Sequence, residues 1–137
     1  MAGITAVDGI KEPYTERLRR IGIRSTDDLL AYGATRRGRR ELSKVVGLGD
    51  RRVTEWVKRA DLLRVPGIST RYSNLLEAVG VTTVRDLRRR DPTKLHATLL
   101  EINERRRRPV VQRPPTAAEV RAWVDGARRL PLVVRRW

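Results

Sequence analysis

Arg36, Arg40 and Lys44 recur every four residues. On a helix that spacing lines three cations along one face. Arg105, Arg106, Arg107 and Arg108 form an unbroken run of four guanidinium groups. Guanidinium matches phosphate oxygens in two-pronged hydrogen bonds. The chemistry open to these residues is therefore the neutralisation of a polyanion. A solvated face is the competing reading of the first group, whereas an ordinary helix has no need of the second. Arg88–Arg90 end a short predicted helix, where cations are favoured by the dipole in any case. His96 is the only histidine, and there is no cysteine. The sequence holds no Walker-type phosphate loop, no paired metal-ligand spacing and no nucleophile beside a plausible base. The expectation is a protein that is not an enzyme and takes no cofactor and no metal.

The composition points the same way. The 137 residues carry 31 Lys+Arg against 16 Asp+Glu, a formal charge of +15. Only four of the cations are Lys. A compositional bias explains Arg in place of Lys, but not the excess of bases over acids. That excess predicts a nucleic acid or an acidic surface as partner. With three Trp, three Tyr and no Phe, stacking platforms for single strands are poorly supported. The apolar runs are too short to span a membrane, and "MAGITAVDGI" lacks the basic and apolar regions of a secretory signal. A soluble cytoplasmic chain is expected, long enough to bury a core as a single domain spanning 1–137.

The elements that must position these cations are written twice. A shift of 58 residues aligns Val7–Leu29 with Val65–Leu87 without a gap, and eight of the 23 pairs are identical. They are Val7/Val65, Gly9/Gly67, Ile10/Ile68, Tyr14/Tyr72, Leu18/Leu76, Gly22/Gly80, Asp28/Asp86 and Leu29/Leu87. Downstream, "VTEWVKRADLL" and "VRAWVDGARRL" share Val, Trp, Val, Ala and Leu at a spacing of 67. The unit is about sixty residues, used twice as halves 1–64 and 65–137. The nine extra residues of the second copy fit near "NERRRRPVV".

Each unit reads as a tight turn, a helix, a Gly stop and a short second helix. Gly9 allows the turn, and Pro13 suits a first helical turn. Tyr14, Leu18 and Ile21 make one helical face, which Gly22 ends. Ser25 and Asp28 form a variant capping box before Leu29 and Leu30. In the second unit Thr70 caps, and Tyr72, Leu75, Leu76 and Val79 form the stripe. Gly80 stops it, Thr83 caps and Leu87 anchors. Further helices cover 35–46, with Leu42, Val45 and Val46 inward, and 50–63, with Val53, Trp56, Val57, Ala60 and Leu63. "DPTKLHATLLEIN" opens with an Asp cap and Pro, its core being Leu95, Leu99 and Ile102. Thr116 and Glu119 make a matched capping box. "RPVVQRPP" is a connector and "PLVVRRW" an extended tail. The fold is all-α, with about eight helices. Tyr14, Tyr72, Trp56 and Trp123 are packing residues, and the repeated glycines first of all set geometry.

"VDGIKEPYTERLRRIGI" and "VPGISTRYSNLLEAVGV" resemble the helix-hairpin-helix motif. End to end, with "LLAYGATRRGRRELS", "EWVKRADLLRVPGI" and "DLRRRDPTKLHATLLEIN", the chain resembles a family of stand-alone tandem helix-hairpin-helix domains catalogued as domain of unknown function number 4332. The resemblance implies two such units packed together. It also implies sequence-independent binding of DNA, with backbone amides of a Gly-apolar-Gly turn pointing at a phosphate beside a helix N-terminus. Carried onto this sequence, the hairpins are Gly9–Ile10–Lys11 and Gly67–Ile68–Ser69, the latter followed by Thr70 and Arg71. Both lack the second glycine. Its side-chain replacement either blocks a phosphate or substitutes for the amide contact, Lys11 as a point charge and Ser69 as a hydroxyl donor. Asp8 and Glu12 flank the first hairpin and would repel phosphate, so the second is the better candidate. Gly47–Leu48–Gly49, followed by Asp50 and Arg51, keeps both glycines and offers a third. The glycosylase members of the superfamily carry a Gly/Pro-rich loop and a catalytic Asp that this sequence lacks. The expected function is sequence-nonspecific binding of nucleic acid, chiefly double-stranded DNA with structured RNA as a variant. The alternative is a helical scaffold that keeps the fold and binds a protein.

Overall fold

The repeated sequence pattern becomes a repeated set of helix ends. The computed structural model describes residues 2–137, which hold a 3-10 turn at Ile4–Ala6 and eight α-helices. In chain order these are α1 (Tyr14–Arg20), α2 (Thr26–Tyr32), α3 (Arg36–Val46), α4 (Asp50–Leu62), α5 (Thr70–Ala78), α6 (Val84–Arg88), α7 (Pro92–Arg105) and α8 (Ala117–Arg129). The fold is all-α. An isolated bridge between Gly3 and Ser25 is the only β pairing among the described residues. None of their helices is long and apolar enough to cross a membrane.

Matching helix ends carry matching bonds. After α1, Ile23 N–H donates to the Leu18 carbonyl, and after α5, Val81 N–H donates to that of Leu76 (both 3.0 Å). Gly22 and Gly80 sit at φ +86° and +84° in these stops. Ser25 and Asp28 close the anticipated capping box on α2, and Thr116 and Glu119 close that on α8. Thr83 caps α6 and Asp91 caps α7, with Pro92 in its first turn. Two ends differ from expectation. Ser69, not Thr70, caps α5, its Oγ accepting from Tyr72 N–H at 3.3 Å. Pro13 lies just ahead of α1 rather than within it.

The capping carboxylates make folding sensitive to acid. Backbone amide donation from Arg24, helped by Ser25, holds the Asp28 carboxyl below its usual value. The Arg113 guanidinium, with Thr116, does the same for Glu119. A carboxyl depressed in the folded state stabilises it above its unfolded pKa, and that share is lost as pH falls through the folded value. Stability should therefore be level near neutrality and decline below about pH 4. Urea unfolding of Asp28→Asn and Glu119→Gln between pH 7 and 2 checks this. Each variant should lie below wild type at neutral pH and converge with it in acid.

The chain divides into two units. The first runs to Arg64 and takes in Leu132–Trp137; the second is Val65–Pro131. The tail, counted with the second half by repeat arithmetic, thus belongs with the first, where Val134 is buried in the core. In the first unit α4 packs on α2 and α3, and α1 packs on α3; in the second α8 packs on α6 and α7, and α5 on α7. Leu18/Leu76, Ile23/Val81, Leu29/Leu87, Val53/Val120 and Trp56/Trp123 are equivalent pairs, every member buried.

Some inward assignments shift by one residue. On α4 Leu62 and Asp61 are buried while Leu63 is only partly so, and on α7 Asn103 is buried while Ile102 is half-buried. Val45 and Val79 are also half-buried. Both shifted positions involve a polar side chain that finds partners inside. Asp61 holds Arg64 at 2.8 Å, and Asn103 bonds the backbone of Val111 in both directions.

Candidate nucleic-acid interface

The two glycine bends are built alike. Gly9 and Gly67 adopt φ +95° and +89°, a left-handed conformation that side chains rarely take. Sterics reinforce this. A Cβ on Gly9 would sit 3.3 Å from Trp56 Nε1, and one on Gly67 would sit 3.1 Å from Trp123 Nε1. Each indole is in turn tilted against the tyrosine of its own unit: Tyr14–Trp56 with centroids 5.5 Å apart, Tyr72–Trp123 at 5.0 Å. The four aromatic side chains therefore pack, and each Trp edge supports a bend from below. Ile10 and Ile68 point inward and are buried, and their amides close the turns onto Val7 and Val65 (3.1 and 3.2 Å).

What faces outward is backbone. Gly9, Lys11, Gly67, Ser69 and Arg71 are exposed and Thr70 is half-exposed. Among the described residues the amides of Gly67, Ser69 and Arg71 have no hydrogen-bond acceptor. Ser69 Oγ is turned to its own helix as a cap. The side chain that replaces the second glycine is thus occupied locally and does not stand over the bend.

The bends differ in charge. Beside the first, Asp8 is paired with Arg59 of α4 at 3.4 Å. The residues at the equivalent positions of the second unit are Pro66 and Gly126, which approach each other with no charge at all. Against Tyr72 of the second unit lies instead the ion pair of Arg113 with Glu119. The Arg113 guanidinium lies 5.9 Å from the Tyr72 ring centre and grips Glu119 with two bonds of 3.1 and 3.0 Å, while the Arg113 carbonyl accepts from Tyr72 Oη. That pairing raises the Arg113 pKa above its ordinary value. Arg113 carries no signal in the sequence, because nothing in a Pro-rich connector says which way it folds back.

This twofold plan of bend, helix, stop and supporting indole spans most of the chain, and a family model described as "Domain of unknown function (DUF4332)" matches residues 8–130. The chain belongs to the DUF4332 family. No curated protein and no solved structure gives a significant match. Both bends and both tryptophans lie inside the DUF4332 span, whereas Trp137 lies beyond it.

The remaining cations of this DUF4332 chain fall into separate places. Arg36, Arg40 and Lys44 are all exposed on α3, as the four-residue spacing implies. Gly47 ends α3 at φ +77° and Gly49 opens α4, but this third joint is closed over by Arg17, whose Nη1 donates to the Val46 carbonyl at 2.7 Å. Ser43 Oγ also donates to the Leu48 carbonyl. Arg51 is paired with Glu55 at 3.6 Å on the surface. Arg105 is the last residue of α7 and pairs with Glu101, while Arg106–Arg108 lie exposed in the bend that follows. Arg105 shares a groove with Ala78 and Val79 at the C-terminal end of α5. Arg71 stands at the other end of that helix, about a helix length of 12 Å away. The arginine run and the second bend are therefore distinct surfaces. His96 bonds the Pro115 carbonyl through Nε2 at 3.0 Å, and among the described residues no three His, Cys, Asp or Glu side chains are grouped to hold a metal.

Proposed function

We propose that this protein is a sequence-nonspecific nucleic-acid-binding module, with double-stranded DNA as its main target. It contacts phosphates through helix-hairpin-helix bends and reads no bases. The observation that carries this reading is the second bend. There a left-handed glycine, three amides without acceptors among the described residues and the start of α5 lie beside the exposed Arg71. Oriented amides at a helix N-terminus favour a phosphate oxygen, and no carboxylate flanks the turn itself. Arg106–Arg108 and the α3 stripe add sequence-independent attraction. No catalytic step belongs to this reading.

A salt titration on random duplexes tests it. Neutralising roughly four to six phosphates gives a slope of about −4 to −5 for log K against log[salt]. Arg71→Glu should weaken binding on every duplex alike and reduce that slope by about 1. A flat salt response with wild type removes the proposal. Recovery of a protein partner that survives nuclease treatment, alongside that flat response, supports the scaffold reading in its place.

A further inference from the structure

A cleft of about 310 Å³ opens in the first unit, lined by Arg36, Arg39, Arg40, Asp50, Thr54 and Trp137. Asp50 is the one acidic side chain of this lining, against three guanidinium groups. Arg36 also lines a neighbouring hollow with Arg135 and Arg136, so five cations crowd the start of α3. Their placement opposes the helix dipole, for the first turn of α3 has no acidic residue to offset its positive end.

Arg39 makes the site more than a charged surface. It is 3% exposed, yet its bonds go to two neutral carbonyls, Gly33 and Arg136, each at 2.9 Å. A guanidinium has five N–H donors, so three are left over, and among the described residues no Asp or Glu side chain pairs with it. Burial and the nearby Arg36 both lower its pKa. Its bond to the tail places the Trp137 ring 5.6 Å from Arg39 on one side, and Lys58 Nζ lies equally far from that ring. A buried cation without a counter-ion is costly unless an anion completes it.

We infer that the Arg36–Arg39–Arg40–Trp137 cleft is a binding site for a small phosphate-bearing anion of at least two negative charges. A single carboxylate would leave the cluster strongly positive, while a phosphate monoester or pyrophosphate balances it and matches guanidinium geometry. Thr54 supplies a hydroxyl donor at the same wall. The cleft volume stands at the lower end of small-ligand pockets, about 300 Å³ and upward, which fits one or two phosphoryl groups rather than a length of duplex. The site shares Arg36 and Arg40 with the α3 stripe of the reading above but does not depend on the bend contacts.

Inorganic pyrophosphate titrated into the full chain at constant ionic strength tests the inference, read by NMR at the Trp137 indole and Arg39 Nε–H signals. Saturable shifts at both, with a Kd at or below about 1 mM, are expected. Arg36→Ala with Arg40→Ala, both on exposed side chains, should weaken binding by at least about tenfold. Arg121→Ala with Arg129→Ala removes two charges from the second unit and should leave it unchanged. A single-stranded oligonucleotide with a terminal phosphate, compared with its hydroxyl form, separates the two sources. Tighter binding of the phosphorylated strand than of its hydroxyl form, with that gain lost in the Arg36→Ala, Arg40→Ala variant, makes the ligand a strand end; equal binding of the two strands alongside saturable pyrophosphate binding makes it a free metabolite. Shifts that fail to saturate, or equal loss in the two double variants, overturn the site.

Discussion

Trp123→Ala is expected to lower stability by about 3–5 kcal/mol. The side chain is 2% exposed and lies in α8, the helix on which both α6 and α7 pack. Its removal opens a cavity beneath the second bend and breaks the tilted contact with Tyr72, a type of contact worth about 0.5–1.5 kcal/mol beyond area burial. Domains of this size are stable by only about 5–15 kcal/mol, so the variant should unfold at far lower urea. Trp123→Phe retains a ring but lacks the indole edge 3.1 Å from the Gly67 Cβ position. It should lose less, about 1–2 kcal/mol. Urea titration followed by far-UV circular dichroism reads both. An alanine variant within about 0.5 kcal/mol of wild type would mean that the indole does not support the bend.

The value of that position was readable from the sequence because two separate echoes converge on it. The 58-residue shift placed Gly67 opposite Gly9, and the 67-residue shift placed Trp123 opposite Trp56. Helix existence followed from apolar spacing, and helix ends from Gly and from Ser, Thr or Asp with an acid three residues on. These signals are local, and local chemistry decides them. What failed was long-range. Arg39 lies one position from the exposed Arg40 and reads as solvated, but its long side chain reaches carbonyls 6 and 97 residues away in sequence. Arg17 reads as one more surface cation, yet it closes the Gly47 joint from 29 residues away. The choice of Ser69 over Thr70 as cap turned on where the turn ended, by a single residue. At the candidate interface, glycine positions and exposed arginines were legible; Arg113 and the cleft around Trp137 were not, because each depends on a connector or tail folding back.

Asn103→Ala is expected to cost about 2–5 kcal/mol, through a mechanism no apolar stripe reveals. Asn103 Nδ2 donates to the Val111 carbonyl at 3.0 Å, and Val111 N–H donates to Asn103 Oδ1 at 3.1 Å. The amide thus imitates a strand partner for one residue of the connector, and both residues are 4% exposed. Alanine leaves a buried N–H and a buried C=O unpaired, each costing about 1–3 kcal/mol. The bonds also close the bend that carries Arg106–Arg108. Losing them frees that bend, so trypsin should cut after Arg106 and Arg107, the Arg108–Pro109 bond being resistant, in the absence of urea and much faster than in wild type. Asn103→Asp keeps the acceptor but not the donor. It also buries a charge against a carbonyl, so it should be no better than alanine. Unchanged proteolysis together with a wild-type unfolding midpoint would show that the connector is held by Val111 packing alone. The nucleic-acid reading adds a second consequence, since a loosened arginine run keeps its charge but loses its position. Binding by the Asn103→Ala protein, at temperatures where it remains folded, should therefore weaken while the salt slope stays near that of wild type.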